Sequence, residues 1–125
     1  MRDLAQQGAK EQILIAQDSS RYGIDRPGAS LAGLLEQASQ IDGIEWLRVL
    51  YCYPDETDKA LLDAMAGNPK VCRYLDLPLQ HAAPGILKRM NRRGDIRKVE
   101  DLLAYARDLG FALRTTMIVG FPGET

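Results

Sequence analysis

The residues best suited to chemistry are concentrated at the end of the chain and recur at intervals before it. Arg114-Thr115-Thr116-Met117-Ile118-Val119 reads as a buried apolar strand, and Gly120-Phe121-Pro122-Gly123-Glu124 follows it directly. Glycine accepts backbone angles that other residues resist and lets a ligand approach the main chain. A strand that ends in such a loop offers a platform for a small molecule at the carboxyl edge of a sheet. Three earlier segments carry comparable groups: Gln17-Asp18-Ser19-Ser20-Arg21-Tyr22-Gly23, Cys52-Tyr53-Pro54-Asp55, and Pro78-Leu79-Gln80-His81-Ala82. Their amides, hydroxyls and carboxylates suit a polar metabolite bearing an amine, a carboxylate and a ribose. Taken singly, Gln17, Asp18 and Ser20 could equally serve only to close turns.

Each segment follows a β-rich run. The runs are Gln12 to Ala16, Trp46 to Tyr51, Arg73 to Leu77 and Leu113 to Val119, with apolar residues in blocks, as expected of strands covered on both faces. Helical patterns separate them. Leu31, Leu34, Leu35, Ala38 and Ile41 share one face behind a Ser30 cap. Thr57 or Asp58 opens a helix carrying Leu61, Leu62 and Met65, which Gly67-Asn68-Pro69 ends. Asp95 caps a third, with Ile96, Val99, Leu102, Leu103, Ala106 and Leu109 as its stripe and Gly110 as its stop. The first residues read as a helix tail ended by Gly8. Alternation of this kind implies parallel strands, in an open doubly wound sheet or in one arc of a (β/α) barrel. In either, working residues sit just beyond the strands. No internal domain boundary is visible.

Composition narrows the class. The 125 residues are 46% hydrophobic with a net charge of -1, enough for one globular core and silent about membranes or nucleic acid. No apolar run approaches the roughly 20 residues of a membrane span, and residues 1–7 lack a secretory signal's apolar centre. Cys52 and Cys72 have no metal-ligand spacing and read as buried free thiols, so no metal site is assigned. His81, the single histidine, is either structural or a group able to titrate near neutrality. Residues 88–98 hold six positive charges, forming either a solvated helix–turn–helix surface or a contact for an anionic partner such as RNA.

Together Gln17-Asp18-Ser19-Ser20-Arg21-Tyr22-Gly23, Leu50-Tyr51-Cys52-Tyr53-Pro54, Tyr74-Leu75-Asp76-Leu77-Pro78-Leu79-Gln80-His81-Ala82, Ile86-Leu87-Lys88-Arg89-Met90-Asn91-Arg92 and Ile118-Val119-Gly120-Phe121-Pro122-Gly123-Glu124-Thr125 resemble the central domain of radical S-adenosylmethionine methylthiotransferases. The first and third segments look like the cytoplasmic branch that methylthiolates an aspartate of a small-subunit ribosomal protein. The tRNA-modifying branch typically has asparagine in place of Asp18 and Ser-Gly in place of His81-Ala82. The resemblance implies a partial TIM-type (β/α) barrel of about four parallel strands alternating with helices. It places S-adenosylmethionine across the strand ends, with Gln17 and Asp18 near its methionine part and Gln80 facing the same cavity. Val119, Gly120 and Phe121 fall near the adenine, and Tyr53 and His81 on the substrate side.

The family's chemistry is hydrogen abstraction by a 5′-deoxyadenosyl radical, sulfur insertion from a second cluster and methyl transfer. It needs 4Fe-4S clusters, one held by a CxxxCxxC loop that this sequence lacks. The resemblance therefore implies that residues 1–125 are a partial core domain, without that loop, the last barrel strand, the N-terminal methylthiotransferase domain and the C-terminal TRAM-type RNA-binding domain. Such a piece is expected to be inactive alone and to self-associate through open sheet edges. The alternatives are a tRNA-adenosine methylthiotransferase and a non-catalytic half-barrel binding module.

Overall fold

A computed structural model describes residues 1–92 and 95–124. Arg93 and Gly94, within the basic run, and Thr125, the last residue of the final segment, lie outside the described residues. The elements are α1 (Arg2–Gln6), β1 (Glu11–Leu14), α2 (Leu31–Ser39), β2 (Trp46–Val49), α3 (Lys59–Gly67), β3 (Tyr74–Asp76), α4 (Pro84–Arg89), α5 (Ile96–Asp108) and β4 (Ala112–Arg114). Short 3₁₀ turns at Ser19–Arg21 and Pro54–Glu56 follow the first two strands.

The helix ends form where local chemistry places them. Ser30, Asp58 and Asp95 each accept a backbone N–H of the first turn, at 3.1, 2.8 and 3.0 Å. Asp58 rather than Thr57 caps α3, because the Thr57 hydroxyl is turned back to the Tyr53 carbonyl, 2.8 Å away. Three helices end in the same doubly bonded turn, closed by a residue in the left-handed region: Gly8, Asn91 and Gly110. At α5, Gly110 N–H reaches Arg107 O and Phe111 N–H reaches Ala106 O, which drives Phe111 into the core. At α4, Asn91 does the same and throws Arg92 back over the strand ends. The sequence patterns above do not include α4 as a helix; its six residues are too few for a periodic stripe.

All strand pairing is parallel. Leu47 lies beside Gln12, and Leu75 beside Leu113. Leu47 also bridges Val71, and Cys52 N–H reaches Asp76 O at 3.0 Å, so the strands stand in the order β1-β2-β3-β4. Leu47, Val49, Leu75 and Leu77 point to one side, where Leu35, Ala38, Leu62, Met65, Leu102 and Ala106 from α2, α3 and α5 complete a single core. Burying each large aliphatic chain there stabilises the fold by about 1.5–3 kcal/mol.

The opposite face corrects the expectation that both faces of the strands are covered. Ile13, Ile15 and Trp46 are exposed there, Leu113, Met117 and Ile118 are exposed along β4 and the segment after it, and Val119 is 85% exposed. The core helices α2, α3 and α5 pack on the side away from Ile13, Ile15 and Trp46, Leu113 stands at the open edge of β4, and among the described residues nothing covers these side chains. The fourth run is also shorter than its apolar length suggests. Regular pairing stops at Arg114 and resumes as a bridge between Gln80 and Met117.

One buried charge joins the two halves of the sheet. Asp76 is fully buried, with Oδ2 accepting Tyr51 N–H at 3.1 Å and Oδ1 accepting Arg114 Nη1 at 2.9 Å. Arg114→Ala strands a buried carboxylate, whereas Asp76→Asn keeps an acceptor for Tyr51. We expect urea unfolding to show a lowered midpoint for Arg114→Ala and a smaller loss for Asp76→Asn.

Candidate functional site

Loops beyond the strands build the site in two adjoining clusters. The first gathers Gln17, Asp18 and Tyr53 around an open groove with Arg21, Asn91 and Arg92. Asp18 caps the Ser19–Arg21 turn by accepting both N–H and hydroxyl of Ser20. The Ser20 hydroxyl oxygen accepts Tyr53 N–H at 3.0 Å, and the Ser19 hydroxyl donates to Leu50 O at 2.6 Å. The turn after β1 is thus bolted to the end of β2. Asp18 does close a turn, and it remains half-buried at the groove wall, while Gln17 is exposed. The Arg92 guanidinium lies 4.5 Å from the Tyr53 ring centroid, a cation–π contact that fixes the ring.

The second cluster joins the loops after β3 and β4. Gln80 sits in the left-handed region, φ 70°, and its main chain pairs on both sides: N–H to Thr116 O at 2.8 Å, and O from Ile118 N–H at 2.7 Å. Beyond it the His81 ring accepts Ala83 N–H at Nδ1, 2.9 Å, so its Nε2 carries the hydrogen that meets Glu124 Oε1 at 3.2 Å. Glu124 Oε2 accepts Phe121 N–H at 3.0 Å, and Arg89 donates to Pro122 O at 3.2 Å. Gly120 has φ 74°, and a side chain grown there would meet no atom within 4 Å. Its backbone is open to a ligand. Arg92 connects the clusters, lining both the first groove and a recess beneath His81, Pro54 and Leu87.

The arrangement can hold a polar molecule flat along the strand ends. Backbone amides and the exposed Val119 face are offered at β4, side-chain amide and carboxylate at β1, and an immobilised aromatic ring at β2. The cysteines contribute no such chemistry. Cys52 is buried beside Asp18 and Asp76, and burial above all pushes its thiol up to about 12; burial raises Cys72 as well. Neither favours the thiolate a metal requires, and no group of three possible ligands occurs among the described residues.

Four contributors are missing from the sequence-derived candidates: Asp76, Arg114, Arg92 and Glu124. A lone acid inside the apolar run Tyr74-Leu75-Asp76-Leu77, with a lone Arg in the neighbouring strand, is the signal of a paired buried carboxylate. Nothing in the sequence announces the His81–Glu124 contact, which spans 43 positions.

The His81 hydrogen bond, with the Phe121 N–H, holds the Glu124 carboxyl below the usual carboxylate range. A carboxyl lowered in the folded state contributes loop stability that is complete above its ordinary value, about 4.3, and is lost as pH falls through the lowered one. An NMR titration of the Phe121 amide should therefore show a midpoint below about 4.3, absent in Glu124→Gln.

The chain matches the family model described as the radical SAM superfamily over residues 1–125. It is 53% identical over 125 residues to the ribosomal protein uS12 methylthiotransferase RimO of Desulfitobacterium hafniense, covering 98% of this chain and 28% of the relative. Proteins of the same name from Geobacter sulfurreducens and Heliobacterium modesticaldum are 50% and 47% identical, each over 99% of this chain and 28% of their own length. The chain thus spans little more than a quarter of the curated relatives it matches. With its alternating parallel strands and helices and a match along its whole length, the chain belongs to the radical SAM superfamily.

Proposed function

We propose that residues 1–125 form part of the S-adenosylmethionine-binding core of a methylthiotransferase that modifies an aspartate of ribosomal protein uS12. The observation that carries this reading is the identity of about half the residues, spread along nearly the whole chain, to ribosomal protein uS12 methylthiotransferases. The gathering of the four strand-end segments along one edge of the sheet supports it. The consecutive order β1-β2-β3-β4, with α2, α3 and α5 on one side, favours an arc of a (β/α) barrel over a doubly wound sheet, in which order reverses and helices cover both faces.

The exposed Gln17, the half-buried Asp18, the open Gly120 backbone and the uncovered Val119 fit an adenosyl amino acid. In this reading Gln17 and Asp18 take the ammonium and carboxylate end. Val119, Gly120 and Phe121 form an apolar wall and backbone edge for the purine, and Gln80 faces the cavity between them. Tyr53 and His81 lie on the substrate side. When bound, S-adenosylmethionine supplies the radical hydrogen abstraction and the methyl group of such a reaction. The chain's own residues orient it. The cysteines do not suit an iron–sulfur cluster, and no cluster is assigned to them.

Two partner readings accompany this one. Lys88, Arg89, Arg92, Arg97 and Lys98 make no ion pair among the described residues, which supports an RNA contact beside the site. The uncovered face and the open edges of β1 and β4 support self-association of this segment when isolated. Sedimentation should show dimers or larger species, and a monodisperse monomer with a cooperative melt would refute that.

The cofactor reading is tested by titrating S-adenosylmethionine while following backbone amides. Shifts should concentrate at Gln17, Asp18, Gln80 and residues 119–121, and Gly120→Val should weaken binding about tenfold through its left-handed φ and its added bulk. An unmoved β4 loop would sink the assignment.

A further inference from the structure

We infer that His81 is a positioning residue, whose Nε2–H, acting through Glu124, holds the glycine loop after β4 in the shape that receives its ligand. The inference rests on the reading of residues 119–121 as a cofactor wall.

Three ties hold this loop to the segment running from the end of β3 through α4. The Gln80 main chain fixes Thr116 and Ile118, Arg89 holds Pro122 O, and the Glu124 carboxylate spans His81 and Phe121. Only the last reaches an amide that borders Gly120. Gly120 and Gly123 both take left-handed angles and flank the stiff Phe121-Pro122 pair, so the two glycines are the points at which the loop is free to swing. A carboxylate that bonds Phe121 N–H from three residues ahead closes the turn, but its own rotamer has to be set. His81 sets it. The imidazole is largely buried, at 16% side-chain exposure, and cannot swing away without losing Ala83 N–H from Nδ1. One ring thus joins the start of α4 to the loop after β4, with each nitrogen committed to a different task.

The division of labour makes the inference testable with two isosteric replacements in the intact protein. Asparagine places an acceptor near Nδ1 and no donor near Nε2. Glutamine places a donor near Nε2 and no acceptor at Nδ1. Hydrogen exchange of residues 116–124 is measured without ligand, and S-adenosylhomocysteine affinity is measured in parallel. His81→Asn should speed loop exchange and weaken binding by about three- to tenfold, as expected for one hydrogen bond, while His81→Gln stays near the parent in both. Equal behaviour of the two variants overturns the proposal, as does weakened binding with unchanged exchange, which would mean that His81 meets the ligand itself. Faster exchange in His81→Asn with unchanged affinity upholds the positioning role and refutes the loop as a cofactor wall, so the two ideas fail separately.

Discussion

The fold turns on the seam between β2 and β3. Among the described residues, regular pairing exists only within β1-β2 and within β3-β4, and the two pairs meet through a handful of contacts. At the core end these are Leu47 N–H to Lys70 O and Cys72 N–H to Leu47 O. At the loop end Asp76 does the joining twice, with its carbonyl to Cys52 N–H and its carboxylate to Tyr51 N–H. A charge in so dry a place needs compensation, which Arg114 supplies from β4. The same few atoms therefore keep three strands in register where their loops diverge.

Everything at the strand ends inherits its place from that seam. Tyr51, one of three non-glycine residues with positive φ among the described residues, turns the chain out of β2 so that Ser19 and Ser20 can dock against it. Gln80 makes the matching turn out of β3. Such angles cost about 1–3 kcal/mol each and persist only where surrounding contacts over-determine them. Here they coincide with the points at which the main chain leaves the sheet for the site. Asn91, the third, ends α4 and delivers Arg92 to the Tyr53 ring.

Local signals were legible in the sequence, and long-range ones were not. Ser30, Asp95, Gly8 and Gly110 act within one turn of chain, so residue type locates them, whereas Thr57 and Asp58 were equally good caps by type and only the fold chose Asp58. Strand positions were legible, but their ends were not, because pairing length depends on a neighbour far away in sequence. The apolar blocks at residues 12–16 and 113–119 suggested two covered faces, yet one face of each is open in this segment. Asp18, read in the sequence as a cofactor contact that could equally be a turn cap, does close its turn. Glu124 was visible as an acid after the glycines, but its partner, His81, emerges only from folding.

Trp46 has a practical bearing of another kind. It opens β2, opposite Glu11, at the pole of the sheet away from the loops, and it is 55% exposed. As the chain's single tryptophan, it makes intrinsic fluorescence an optical probe of the far pole. Its emission should report on whatever comes to cover the strand starts, while events at the strand ends pass largely unseen. A spectral response of Trp46 to a small molecule bound at the loops would be direct optical evidence that the sheet transmits strain from one pole to the other.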